Sequence, residues 1–523
     1  MLSIMRRRSL ARILAPGISL LLLLPSILAS APGDTGAVVT YESFGAVGDG
    51  VTDDLPAIVA AHAHANERGL PVRSRADATY HLGTRALTAV IQTDTDWNTS
   101  RFIIDDSRGV EDHKRALFEV RSRLAPEKLA ITRLASGQPR LEVRPAHDCL
   151  VLVENDRQRR FIRRGLNQNA GTPQREVFIL RRDGAVEGAI EWDYDTVTRV
   201  EARPIDPEPL VIRGGVFTQI ANQMRQPKGY NYWGRHIQIS RSNTTVDGVT
   251  LRITGEGEFG HPYNGFLRAG QVADITFRDC RIDGRKVYTT IGSADRPVPM
   301  GTYGYRADLV VNFRMIGCVM PNDIHDRSRW GVATSNFIKN VLIEDCVLSR
   351  MDVHMGVSGG YVIRRTTLGH QGLKAIGRGL LLIEDSTIHA DSLVDFRSDY
   401  GSTWDGDVVV RNSLWVLPAD VRARPSVFAM QNDGTHDFGY PCRMPRTVLI
   451  DGLAIDDRVL SAKGKFNGVT LFSDPVGKAA GERPFPYGPT EKLVVRGLKT
   501  ANGVAPRISD RAELAAAIRL VPE

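Results

Sequence analysis

Cysteine is scarce here: five residues in 523 (Cys149, Cys280, Cys318, Cys346, Cys442), an odd number with no CxxC pair. That spacing argues against both a disulfide framework and a zinc site. No long run of Lys and Arg occurs, so no nucleic-acid partner is expected. After residue 31 nothing approaches the ~18 uninterrupted apolar residues of a membrane span. The one long apolar run, ILAPGISLLLLLPSILASA, is too short and too broken by Pro16 and Pro25 to span. Behind Arg6, Arg7, Arg8 and Arg12 it reads as a secretory signal peptide over residues 1–31, with Ala29, Ser30 and Ala31 as the cleavage region. The expectation is a soluble protein, secreted or periplasmic, with no membrane attachment after cleavage. Losing those four arginines lowers the formal net charge from +7 to +3, a small bias towards an anionic partner.

What the sequence does contain is a repeat. A pattern of apolar, any, apolar, two mostly polar, one small or polar, any, apolar recurs as VLIEDCVL (341–348), YVIRRTTL (361–368) and LLIEDSTI (381–388), 20 residues apart. Looser copies are ITFRDCRI, NFRMIGCVM, VVVRNSLWV, VLIDGLAI and LVVRGLKT. Their Val, Ile and Leu content, with Gly, Asn, Asp or Ser at the ends, describes strand, turn, strand. One such unit cannot bury its apolar face, whereas stacked units form a continuous core, as in a parallel β-helix. Cys280, Cys318 and Cys346 occupy matching positions, which predicts an internal stack of small buried side chains. Longer spacings between copies predict loops that project and wall a groove.

The segment YESFGAVGDGVTDDLPAIVAAHAHANERG places a Gly-rich turn before Thr52 or Asp53 as helix cap, Pro56 in the first turn and Gly69 at the end. Its stretch FGAVGDGVTDD resembles the N-terminal signature of pectin-lyase-like right-handed β-helix proteins, which include polygalacturonases, polysaccharide lyases and phage tailspikes. The resemblance implies a fold and assigns no chemistry, since the motif is structural in that superfamily. The expected fold is all-β: a single-stranded right-handed parallel β-helix solenoid with an N-terminal capping helix and an inserted β-subdomain. The cap and first coils are expected over 38–91, the inserted or accessory subdomain over 92–205, the main β-helix over 206–505 and a C-terminal capping helix over 506–523. Within the insertion, DRQRRFIRRGLNQNAGTPQR reads either as polar surface or as an arm leaning over a groove.

LSRMDVHMGVSGG (348–360) alternates, so an extended strand carries Arg350, Asp352 and His354 on one face and Met351, Val353 and Met355 on the other. Laying DVHMGVSGG over GLKAIGRGL and LVDFRSDYG brings His354, Lys374 and Asp395 to similar positions, with Arg397 and Asp399 following. IHDRSRWGV adds His325, Arg329 and Trp330. Earlier segments add Glu258 and Tyr263, then Lys286 and Tyr288, and RSDYGSTWDGD closes the face with Tyr400 and Trp404. Ion-pair ladders are ordinary on exterior strands. Convergence of so many groups, absent from VLIDGLAI and LVVRGLKT, favours a functional groove. His261, His370 and His389 read as surface or loop residues.

An open groove lined by aromatics and charges suits a polysaccharide or oligosaccharide substrate. Hydrolysis needs a carboxyl acid and a second carboxylate, roles that Asp352 with Asp399 or Asp395 would fill, and this reading is slightly favoured. β-Elimination on a uronate needs a cation to neutralise the carboxylate and a base for the C5 proton. Arg350, Arg397 or Lys374 would neutralise, with Lys374, His354 or Tyr400 as base, and a C5-epimerase would share that abstraction. A non-catalytic glycan binder is the third reading. The expected catalytic set is Asp352, His354, Lys374, Asp395, Arg397 and Asp399. The substrate-binding set is His325, Arg329, Trp330, Arg350, Tyr400, Trp404, Glu258, Tyr263, Lys286 and Tyr288. The polygalacturonase motifs NxD, GHG and RxK are absent in that order, so none of that family's catalytic residues carries over. Asp391, Asp395 and Asp399 are too spread for a calcium cluster, and no metal or cofactor is expected.

Overall fold

Alternating Val, Ile and Leu make extended strands, and in the computed structural model these strands lie side by side in parallel. The structure describes residues 37–521 except 166–168, 226, 230, 261, 293–294, 422–423, 463–467 and 476–486. The expected signal peptide and His261 lie outside the described residues. Among the described residues no helix is long and apolar enough to cross a membrane.

Successive coils stack as an all-β parallel β-helix. One ladder runs through the repeats, joining Phe313, Val341, Tyr361, Leu381 and Val408. A second follows the corner, from Val347 through Thr367 and Thr387 to Leu414. A third joins Leu267, Tyr305, Ala333, Met351 and Leu373. The corner explains the repeat. Its second polar position has positive φ in every copy: Asp279, Gly317, Asp345, Arg365, Asp385, Asn412, Gly452 and Gly497. Asp, Asn and Gly tolerate that conformation best. The next residue turns inward, so Cys280, Cys318 and Cys346 are buried in one column, continued by Thr366, Ser386 and Ser413. Each N–H in that continuation reaches the next hydroxyl: Cys346 to Thr366 at 3.2 Å, Thr366 to Ser386 at 3.1 Å, Ser386 to Ser413 at 3.2 Å.

The N-terminal helix spans Leu55–Arg68 and ends at Gly69 with φ +69°. Its cap residue is Asp54, one or two positions beyond the expected Thr52 or Asp53. The Asp54 carboxylate instead accepts the N–H groups of Val47 and Gly48 at 2.7 and 3.2 Å, clasping the GAVGD turn. The C-terminal helix is Ala512–Ala517, shorter than 506–523.

The insertion begins later than 92. Thr95–Asp96, Arg101–Asp105 and Phe118–Arg121 pair in parallel with coil strands and belong to the β-helix. Their short strands and long loops hide the coil rhythm from the sequence. The antiparallel sheet comprises Cys149–Arg160, Thr172–Leu180, Val186–Glu187 and Arg199–Pro204. One face holds its own core of Val151, Val153, Phe178 and Tyr194. The other packs Leu150, Leu152, Val177 and Ile179 on Ala273 and Val311 of the coils. Lys339, buried in that junction, pairs with Glu176 at 2.7 Å and Glu191 at 3.4 Å.

Candidate active site

The outer face of strand Val347–Arg364 carries a buried ionic cluster centred on Asp352. Its Oδ2 lies 2.8 Å from Arg350 Nη2 and 3.4 Å from His354 Nε2, and its Oδ1 lies 2.9 Å from Arg397 Nη1. Arg397 turns its other edge to Asp399, with Nε and Nη2 at 3.0 and 2.7 Å. Burial pushes the Asp352 carboxyl up, but the Arg350 and Arg397 guanidiniums hold it well below the usual carboxylate range. Asp399 is likewise held low, with Arg397 and Arg163 overcoming burial. Both carboxylates are therefore ionised near neutral pH. Burial takes His354 down to about 4 against the opposing pull of Asp352, so a neutral imidazole sits beside an ionised aspartate. Its Nδ1 is 3.4 Å from Thr334 Oγ1, and the Tyr303 ring packs edge-on with centroids 6.0 Å apart.

His354 is held out by a β-bulge. Ser335 pairs with Val353 and Asn336 with Met355, which leaves His354 as the extra residue. Bulges re-aim side chains and concentrate beside active sites. Gly356 follows with φ +81°, and a Cβ there would press on the ring of Phe161 at 3.0 Å.

Phe161 follows the first insertion strand, and residues 161–164 lie over the coils, in line with the arm alternative of the sequence reading. Ile162 N–H donates to Phe438 O at 3.1 Å and Arg164 N–H to Asp399 O at 2.8 Å. The Arg164 guanidinium grips Asp433 through two 2.7 Å bonds. Arg163 pairs with Asp399 at 2.8 Å and lies 5.9 Å from the centre of the Tyr400 ring. The arm thus reaches the same carboxylate that Arg397 holds from below.

Beside the cluster opens a cleft of about 620 Å³ lined by Arg327, Arg350, Gln371, Lys374, Asp395 and Arg424, among others. Arg350 donates to Gln371 at 3.1 Å and lies over the Trp330 ring at 5.3 Å. Lys374 and Asp395 are directly opposite each other on adjacent strands and are ion-paired, matching the sequence alignment for those two. The alignment of His354 with Lys374 is corrected by two residues: Arg350 pairs with Gly372 and Met351 with Leu373, putting Lys374 at the level of Asp352. An even shift keeps the same face.

Several expected residues lie elsewhere. Trp404 is fully buried, its indole N–H donating to Gly379 O at 3.1 Å, and belongs to the core. Tyr263 is buried under Arg285, 3.5 Å from its ring centre, with its hydroxyl accepting the Asn222 N–H. Tyr400 is also buried, beneath Arg163 and Arg397, and is a floor for the ion pairs rather than a sugar platform. His325 meets His389 edge to face, with ring centroids 4.5 Å apart. Arg329 pairs with Glu256 at 2.9 Å and Lys286 donates to Gly257 O at 2.7 Å. Tyr288 and Glu258 line a separate cleft of about 450 Å³. Alternation identifies outward residues and cannot separate a solvated face from one covered by a loop or an arm. Tyr303, Thr334 and Arg163 were missed; the Arg-rich arm was the only signal for the last.

No family model matches the chain. Its fold is that of the pectin-lyase-like parallel β-helix proteins. The tailspike protein gp49 from Pseudomonas phage LKA1 is 13% identical with a TM-score of 0.50, over 92% of this chain and 84% of that one. The surface protein and adhesin PfbA of Streptococcus pneumoniae is 10% identical with a TM-score of 0.41, over 90% of this chain and 99% of that one. A capsule KL64-specific depolymerase from Klebsiella phage P510 is 28% identical over 94 residues, which span 16% of this chain and 9% of the depolymerase.

Proposed function

We propose that this protein is a polysaccharide-cleaving enzyme that acts by β-elimination on a uronate-containing chain, with His354 as the base. The observation that carries the reading is the bulged, neutral His354 set against ionised Asp352 among arginines. Hydrolysis asks for one protonated carboxyl group, and both Asp352 and Asp399 are held ionised. That argues against the Asp352–Asp399 pair favoured from sequence, and Asp395, the alternative partner, is engaged by Lys374. Elimination asks for a neutral base, a cation at the uronate carboxylate and an acid at the leaving oxygen. His354 accepts the C5 proton while Asp352 fixes the ring and stabilises the imidazolium. Arg350 and Lys374, lining the cleft, neutralise the carboxylate. Tyr303, whose hydroxyl burial keeps protonated, donates to the leaving oxygen. The similarity to a capsule-specific depolymerase supports a polysaccharide substrate.

The test follows reducing ends and the ultraviolet absorbance of unsaturated uronates in parallel, across neutral and uronate-containing polysaccharides. Both signals should rise with the parent protein and fall by about 10²–10⁴-fold in His354→Gln. Reducing ends without absorbance would identify a hydrolase. Neither signal across the panel would leave a glycan binder.

A further inference from the structure

The outer row of the third ladder continues beyond the site. Gln238, Arg268, Arg306, Thr334 and Asp352 occupy successive rungs. Arg268 and Arg306 are therefore neighbours, with backbones about 5 Å apart. Arg306 has a counter-charge, Asp308 at 2.5 Å, and also donates to Asn264. Arg268 has none: among the described residues no carboxylate pairs with it, its Nη1 meets only His236 Nε2 at 3.3 Å, and its Nε is buried without a partner. His236 cannot help, because burial keeps its ring neutral. Burial and the charge of Arg306 draw Arg268 down to about 10, with Asp308, the partner of Arg306, offsetting them only in part. A half-buried cation beside a like charge weakens a fold unless an anion joins it.

We propose that Arg268 and Arg306 form an anion-binding subsite that takes a carboxylate of the polysaccharide chain, three and two rungs from Asp352 on the same face. This deepens the elimination reading and rests on it for the identity of the groove. A chain laid along the row would set one acidic sugar against the arginine pair while another sits at His354. Arg268 is then a substrate-binding residue whose counter-charge arrives with the ligand, which accounts for its lack of one in the fold.

The test uses the full-length His354→Gln protein, so that no cleavage intervenes, and compares it with His354→Gln/Arg268→Gln. Calorimetric titrations employ polygalacturonate and polymannuronate, each beside its carboxyl-reduced form. The parent should prefer at least one carboxylated chain, and Arg268→Gln should weaken that chain by about tenfold while leaving the reduced form unchanged. Without ligand, Arg268→Gln should raise the thermal midpoint, because it removes a half-buried charge with no ion-pair partner of its own. A lowered midpoint overturns the proposal. So does a parent with no preference for carboxylated chains, including one that binds none of the four polymers. Retained turnover in His354→Gln would sink the base assignment alone, so the two failures are distinguishable.

Discussion

At the scale of single residues the site is a run of alternating charges: Arg163, Asp399, Arg397, Asp352, then the His354 ring. Four charged groups face that ring. Asp352 and Asp399 raise its affinity for a proton, whereas Arg397 and Arg350 lower it alongside burial. Arg163 offsets Asp399 from the arm side. Replacing Arg163 with alanine leaves Asp399 ionised through its two bonds to Arg397, now with less compensation. The His354 ring should then titrate about half a unit higher than its starting value, read directly by NMR. The acid limb of kcat/KM should move up in step, and Arg163→Lys should restore both. An unmoved ring titration would reduce the arm to a cover. Arg350, Asp352 and His354 were legible from alternation alone. The burial of Asp352 was not, because the guanidinium that covers it, Arg397, comes from far off in sequence and is itself braced by Asp399.

At the scale of the element, the corner turn is where sequence and conformation agree most closely. The repeat places Asp, Asn or Gly at the positive-φ position in all copies but one, which carries Arg365. Asn412 is exposed there with φ +43°, directly over Gly452 in the next coil. Asn412→Gly should keep stability near the parent's, since glycine adopts this conformation freely. Asn412→Ala should cost about 1–2 kcal/mol, the penalty of a Cβ in the left-handed region. Urea midpoints of the two variants give the comparison, and equal midpoints would mean the corner exerts no such constraint. The bulge at His354 had no comparable signature. Polar and apolar residues alternate through 350–355 without interruption, and the extra residue exists only relative to the neighbouring strand, where Ser335 and Asn336 face Val353 and Met355.

At the scale of the whole molecule, the parallel β-helix was legible because each coil repeats the same corner. The insertion's start was not, because the early coils Arg101–Asp105 and Phe118–Arg121 are separated by loops long enough to mask their rhythm. The same stacking buries two histidines near the N-terminal end. His62 lies within the capping helix, bonded to the Tyr41 hydroxyl at 3.0 Å, and His236 sits beside Arg268. Burial lowers both to about 3, with Arg268 adding to the effect at His236. In the unfolded chain each titrates near 6.5. Above that value neither state binds the proton and the full stability is present. As the pH falls from about 6.5 towards 3, the unfolded chain takes up protons that the fold refuses, so stability declines. The slope is about 1.4 kcal/mol per pH unit for each histidine. Carboxylates held low, such as Asp352 and Asp399, favour the fold until the pH nears their unfolded values close to 4, so the decline above that comes from the histidines, partly offset by carboxyls that burial raises, such as Asp106 and Asp274, which gain protons in the fold first. Urea midpoints measured at pH 7.5, 6.0 and 5.0 should fall steadily in the parent and less steeply in His236→Gln, which keeps a neutral polar side chain at that position. Parallel slopes in the two proteins would show that His236 takes up its proton without unfolding.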